Sequence, residues 1–244
     1  MSAIVAIARR ELGSYFSTPL AYVFLVIFLV LAGLLTFYAG DFYDRNLADL
    51  QPFFAMHPWL YLVLVPAVAM PLWAEESRSG TIELLLTMPV STTQAMLGKF
   101  FAAWAFVAIA LVLTFPIWIT VNYLGRPDNG VILASYLGSW LMAGAFLAIG
   151  ICMSAATSSQ IIAFLLTASV CFLLLLAGQS QVLDFFQDAV PPRLLGALSY
   201  MSITRHSEAI ARGVLDFRDV IYFVATILAW LTAGVILLDY RRAR

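Results

Sequence analysis

The residue types that most often carry catalysis or bind metals are few in this chain and lie far apart. His57 and His206 are its two histidines, and its two cysteines, Cys152 and Cys171, each lie within a long apolar run. Cysteines in such runs are typical of small buried apolar residues rather than of a disulfide, a zinc site or a nucleophile. Because no nucleophile, base or set of metal ligands converges, we expect neither a catalytic site nor a metal site.

Two pairs of polar residues are close enough in sequence to be considered as sites. Glu75 and Glu76 are adjacent, so on a helix their side chains diverge by about 100° and cannot work together as acid and base. His206 and Glu208 are interpreted as a solvated pair. The chain also has no G-x-x-x-x-G-K-[ST] loop to cradle nucleotide phosphates, so we do not expect it to hydrolyse ATP itself.

The composition excludes a soluble globular protein. Of the 244 residues, 63% are hydrophobic and only 11% are charged, and the mean hydropathy is +0.94. Soluble domains typically carry about 25% charged residues. The net charge of −1 also excludes electrostatic binding of nucleic acid. The remaining class is an all-α, polytopic membrane protein.

Six apolar runs are long enough for membrane-spanning helices, which need about 20 residues. Pro58, Pro66 and Pro71 interrupt the second run, and proline is tolerated in such helices when neighbouring groups satisfy the freed carbonyls. Glycine, alanine and serine recur in the fourth run, which is typical of a helix-packing face. The runs lie near Leu20–Ala39, Phe53–Trp73, Phe100–Leu124, Val131–Met153, Ile161–Gly178 and Val220–Leu238.

The basic residues predict the orientation of these spans. An even number of spans places both termini on one side of the membrane, and flanking arginines favour the cytoplasmic side. The N-terminus contributes Arg9 and Arg10, and the C-terminus contributes Arg241, Arg242 and Arg244. We therefore predict that both termini are cytoplasmic.

Residues 1–244 are predicted to form a single membrane domain, with three segments outside the spans. Residues 1–18 have an apolar face and are predicted to lie along the inner leaflet as an interfacial helix, or to serve as a simple basic anchor. Residues 179–218 form an extracytoplasmic loop. This loop either packs on the mouth of the bundle as amphipathic pieces or enters it as a re-entrant hairpin.

The third segment, residues 74–97, has the clearest pattern of a docking site. Polar residues meet a chain break at Gly80, after which Thr81 is predicted to cap a short helix. A helix of two turns is not stable alone in water, so we expect it to dock on a protein or a membrane rather than to remain a solvated loop. Its apolar residues fall on one face: Ile82, Leu85 and Leu86.

Three stretches of the sequence carry a family resemblance: Ala8–Tyr22, Ala74–Lys99 and Ala211–Val220. The second stretch, which includes Ala74-Glu75-Glu76 and Gly80-Thr81-Ile82-Glu83, is the most specific. These stretches resemble the ABC-2 type permeases, and the likeness extends over essentially the whole chain. The similarity is strongest to the permeases of nitrous-oxide-reductase maturation and gliding motility.

The resemblance implies a fold, a set of partners and a function. Such permeases are the membrane half of ATP-driven exporters with a type V fold, in the bacterial cytoplasmic membrane. Two permease subunits, identical or related, surround the path, and a separate ATP-binding subunit lies under each. The chain itself then needs no cofactor, because the partner binds ATP. Residues 1–18 would be the connecting helix, and residues 179–218 the outer gate.

The resemblance also assigns the coupling helix, which sits in a groove of the ATP-binding subunit, to the segment already predicted to dock. The residues implied are Glu75, Glu76, Ser77, Arg78, Gly80, Thr81, Ile82, Glu83, Leu85 and Leu86.

Two other functions fit the same patterns. One is a membrane-embedded assembly or scaffold protein whose short helix docks a partner that does not hydrolyse ATP. The other is an ion-coupled secondary carrier. The lack of an acidic or basic residue deep in the spans disfavours the carrier, because coupling ions are usually bound by such residues.

Overall fold

The structure is a computed structural model that describes residues 3–39, 42, 47–81, 90–179, 182, 184, 196, 200–214 and 216–242. Within these ranges the chain is helical and contains no strand, which confirms the all-α fold. The helices with described bounds are α1 (Ala3–Ser17), α2 (Pro19–Leu34), α3 (Gln51–Ala69), α4 (Pro71–Ser79), α5 (Thr92–Val112), α6 (Phe115–Leu124), α7 (Asn129–Ala156), α8 (Gln160–Leu176), α9 (Ile203–Ala211) and α10 (Phe217–Arg242).

Most of these helices combine into segments that match the predicted spans. In the described part of the chain, five segments are long and apolar enough to cross a bilayer. The apolar helix α8 has 17 residues, the lower limit for a span. The number of six spans therefore stays a prediction. The five segments are Ala21–Tyr38, Gln51–Ser79, Thr92–Leu124, Asn129–Ala156 and Phe217–Arg241.

The second span is interrupted at only one of its predicted breaks. Helix α3 continues through Pro58 and Pro66, and the helical hydrogen bonds are interrupted at Met70, immediately before Pro71. Proline lacks the N–H that would bond to the preceding turn, so α4 begins at Pro71. The backbone of Met70 stays right-handed helical, so α4 continues the same span.

Helix α7 lies in the middle of the bundle and packs against α3, α5, α8 and α10. Its small residues allow the close approach predicted for the fourth run. A Cβ atom on Gly150 would lie 2.5 Å from the Cβ of Ala69, and one on Gly144 would lie 2.9 Å from Nε1 of Trp104. The packing face is therefore used within the chain.

Helix α9 covers the end of the bundle opposite α4. The Ser135 hydroxyl donates to the Ile210 carbonyl at 2.7 Å, and the Thr204 hydroxyl donates to the Leu175 carbonyl at 2.7 Å. This part of the predicted loop 179–218 thus packs on the bundle as an amphipathic helix. Most of residues 180–199 lie outside the described residues.

Candidate functional site

The predicted coupling segment is described in part. Ile82, Glu83, Leu85 and Leu86 lie outside the described residues, so the predicted short helix beyond Thr81 stays a prediction. Thr81 is itself helical, so it lies within a helix rather than at the cap position predicted for it. The remaining residues form the end of α4, the turn at Gly80 and the helical Thr81. They are Glu75, Glu76, Ser77, Arg78, Gly80 and Thr81.

The predicted chain break at Gly80 is confirmed. Gly80 adopts the left-handed conformation, with φ of +73°, and ends α4. Glycine adopts this conformation without steric cost, which is why it commonly terminates helices. Arg78, Gly80 and Thr81 are exposed at this turn. The end of α4 is therefore accessible to a partner.

The two glutamates of α4 contact different helices, as their divergence on a helix predicts. Glu75 accepts a hydrogen bond from Arg78 on its own helix at 2.8 Å, and another from the Gln160 amide at the start of α8. Glu76 accepts from the Lys99 ammonium on α5 at 2.8 Å. Both carboxylates are thus engaged with their own chain.

Lys99 is the centre of a cluster of charges that we call the base cluster: Arg10, Glu11, Glu76 and Lys99. Besides its bond to Glu76, the ammonium lies 3.3 Å from Glu11, which in turn pairs with Arg10 at 2.7 Å. The Lys99 side chain is only 2% exposed. The two carboxylates pair with the buried Lys99 ammonium, as burial of charge requires, whereas the Arg10 side chain is 59% exposed.

Close packing of α1 on α5 makes this cluster possible. A Cβ atom on Gly98 would lie 2.7 Å from Cγ2 of Ile7, so glycine at this position lets the two backbones approach. Two turns further along both helices, Tyr15 stacks on Phe106 with ring centroids 5.0 Å apart. Because Ile7 and Tyr15 meet Gly98 and Phe106 in the same order, α1 runs alongside α5 in the same chain direction.

The electrostatics of Glu11 follow from these neighbours. Burial disfavours its ionised form, but the Lys99 ammonium and the Arg10 guanidinium together outweigh burial. The pKa of Glu11 is therefore lowered from its ordinary value. The carboxylate is ionised at neutral pH and keeps α1 paired to α5.

Ser154, on α7, holds the start of α4. Its hydroxyl accepts hydrogen bonds from the backbone N–H groups of Trp73 and Ala74, both at 3.0 Å, and donates to the Met70 carbonyl at 2.8 Å. Pro71 leaves the first N–H groups of α4 without partners in the preceding turn. Ser154 acts as an N-cap supplied by another helix.

A second polar group lies inside the bundle. His57 is 1% exposed, and its Nδ1 lies 2.9 Å from the Ser139 hydroxyl, which is 2.7 Å from the hydroxyl of Tyr61. His57 therefore lies between α3 and α7. The group links these two helices.

The interpretation of His206 and Glu208 as a solvated pair is wrong for His206. His206 Nδ1 lies 2.6 Å from Asp219 at the start of α10, and its ring stacks on Tyr222 with centroids 4.0 Å apart. Glu208 pairs instead with Arg212, one turn away on the surface. Through its contacts with Asp219 and Tyr222, His206 therefore links α9 to the last span.

The polar groups described above form contacts between helices. Across the described ranges, no three His, Cys, Asp or Glu residues lie close enough to hold a metal ion. Besides its ion pairs, the Lys99 ammonium lies 5.2 Å from the centroid of the Trp73 ring. The base cluster therefore links α1, α4 and α5.

Sequence reasoning missed Lys99 and Ser154 as residues that join helices. For Lys99 the sequence did contain a signal: an isolated lysine stands directly before a long charge-free run. A lysine buried there costs free energy unless acidic partners surround it, so such partners could have been sought. Ser154 gave no comparable signal, since serine is common in membrane helices.

The comparison with protein families identifies the chain. A family model described as ABC-2 family transporter protein matches residues 5–241, nearly the whole chain. A comparison with curated proteins gives no match. The matched range includes most of α1, the base cluster, the turn at Gly80 and the last span. The chain therefore belongs to the ABC-2 family of transporter membrane proteins.

Proposed function

We propose that this chain is the permease subunit of an ATP-driven exporter, coupled through residues 75–86 to a separate ATP-binding subunit. The observation that carries the proposal is the end of α4. There the second span extends into an exposed turn at Arg78–Thr81, while the preceding glutamates bind the chain's own helices. A partner that displaces this turn acts directly on the bundle.

The proposed mechanism uses an external source of energy. ATP binding draws two ATP-binding subunits together, and each pushes the coupling segment that lies in its groove. The push reaches α5 through Glu76 and α8 through Glu75. The two permease bundles then rock between inward-facing and outward-facing states. The chain forms the translocation path and transmits the motion to it, and its partner hydrolyses ATP.

The same proposal includes the setting of the protein. The termini and the turn at Gly80 face the cytoplasm, and α9 faces the other side of a bacterial cytoplasmic membrane. Two permease subunits, identical or related, form the path. Within the family, the sequence similarity favours the subgroup of nitrous-oxide-reductase maturation and gliding-motility permeases. The segments that support this are Ala8–Tyr22, Ala74–Lys99 and Ala211–Val220.

The test is purification of the tagged full chain from its native membrane, followed by measurement of ATP hydrolysis. We expect an ATP-binding subunit to co-purify and to hydrolyse ATP. Two variants address the coupling segment: Gly80→Pro, because proline cannot adopt a φ of +73°, and Glu83→Lys, which reverses a charge. We expect that both variants either fail to co-purify the ATP-binding subunit or fail to stimulate its ATP hydrolysis.

A matched control and a clear contrary result complete this test. Glu208→Gln removes a charge from an exposed ion pair at the opposite end of the bundle, so it should leave the complex unchanged. Co-purification of a partner without ATPase activity would instead indicate a scaffold. Uptake into vesicles driven by an ion gradient without ATP would indicate a secondary carrier.

A further inference from the structure

We infer that Lys99 is a positioning residue that locks α1 to the coupling segment, so that α1 moves with α4 during transport. This inference rests on the proposed function. It goes further because it makes α1 a moving part of the coupling machinery rather than a passive anchor. The base cluster provides the physical connection.

The first step is the geometry of the Lys99 ammonium. It donates to Glu76 on α4 at 2.8 Å and to Glu11 on α1 at 3.3 Å, while its own backbone belongs to α5. One charged group therefore joins three helices. Because the Lys99 side chain is 2% exposed, solvent screens these ion pairs much less than surface pairs.

The second step is the way α1 is held. Its backbone lies close to α5 at Gly98, its carboxylate Glu11 binds Lys99, and its ring Tyr15 stacks on Phe106. These contacts are distributed over two turns of both helices, so α1 and the middle of α5 form one packed unit. A force that moves Lys99 moves this unit.

The third step concerns the junction at Met70–Pro71. The backbone of Met70 keeps a right-handed helical conformation, so the chain itself carries a push on the coupling segment from α4 into α3. The ion pair between Glu76 and Lys99 provides a second route into the bundle. This route leads to α5 and α1.

Two variants each remove one of the two ion pairs that Lys99 makes. Glu76→Gln removes the charge that holds α4 but leaves Lys99 paired to Glu11, whereas Glu11→Gln releases α1 but leaves Lys99 paired to Glu76. Each keeps a partner for the buried ammonium, so folding is better preserved than in a Lys99 deletion. Lys99→Arg keeps the charge and should rescue the lock. Glu208→Gln is the matched control.

The first readout is the distance between spin labels at Ala6→Cys on α1 and Ser79→Cys at the end of α4, in chains reconstituted into lipid. Both positions are exposed, and the native cysteines are buried. We expect one narrow distance distribution in the parent chain, in Lys99→Arg and in the control. It should broaden in Glu76→Gln and in Glu11→Gln. Narrow distributions in both of these variants would overturn the lock.

The second readout is ATP hydrolysis by the co-purified complex. We expect Glu11→Gln, which lies outside the coupling segment, to keep the partner bound but to reduce its stimulated hydrolysis by about 2- to 30-fold. Full stimulation would refute a role of α1 in coupling. Should no ATP-binding subunit co-purify with the parent chain, the proposed function fails, while the spin-label distances still decide whether the lock exists.

Discussion

Replacement of Ser154 by alanine tests whether a hydroxyl from α7 holds the start of α4. The substitution removes the side-chain hydroxyl group. It does not lower the helix propensity of α7, since alanine is the best helix former. It deletes three hydrogen bonds: two accepted from Trp73 and Ala74 and one donated to Met70. Nothing else in the bundle needs to change.

The expected magnitude follows from the groups left behind. Trp73 and Ala74 are both 0% exposed, so their backbone N–H groups become buried donors without an acceptor. A buried donor without a partner costs about 1–3 kcal/mol, and loss of an N-cap costs about 0.5–2 kcal/mol. Because both donors share one acceptor, we expect a total loss of about 2–4 kcal/mol in the free energy of unfolding.

The assay is reversible unfolding in mixed micelles with increasing dodecyl sulfate, followed by tryptophan fluorescence. Ser14→Ala is the control, because the Ser14 hydroxyl donates to a carbonyl of its own helix at an exposed position. The control should change the free energy of unfolding by less than about 0.5 kcal/mol. A Ser154→Ala variant as stable as this control would refute the cap between helices.

Two further predictions concern α1. Gly98→Val should lower the free energy of unfolding by about 1–3 kcal/mol and expose α1 to proteases, because its Cβ would lie 2.7 Å from Ile7. Gly33→Val is the control and should change neither property, because a Cβ at Gly33 has no atom within 4 Å. The lowered pKa of Glu11 means that its ion pairs contribute fully above the unfolded value of 4.5 and are lost as the pH falls through the lower folded pKa. The melting temperature should therefore be steady near neutral pH and fall in acid, and Glu11→Gln should flatten that fall; an equal acid response in this variant would contradict the assignment.

The features that the sequence predicts correctly depend on local physics. Runs without charge must be buried in lipid or protein, which is why the apolar segments coincide with helices. Gly80 is identifiable because few other residues adopt a left-handed backbone at a helix end. The adjacency of Glu75 and Glu76 suffices to predict that they contact different neighbours, because the helical period fixes their divergence.

The features that the sequence leaves open depend on contacts between distant residues. Lys99 and Glu11 are 88 positions apart, and Ser154 and Trp73 are 81 apart. No local pattern pairs such residues, since many helix arrangements are compatible with the same apolar runs. The prolines show the same limit: Pro58 and Pro66 lie inside a continuous helix, whereas Pro71 starts a new one.

The central claim is that a separate ATP-binding subunit acts on the cytoplasmic end of α4, and cross-linking from Ser77 tests it most directly. A photoreactive amino acid at Ser77, beside the exposed turn, is activated in intact cells, and the captured protein is identified by mass spectrometry. The account predicts capture of a nucleotide-binding subunit, with a yield that changes when ATP is depleted. Labelling of the same position by a membrane-impermeant reagent added outside the cell, without capture of such a subunit, would contradict it.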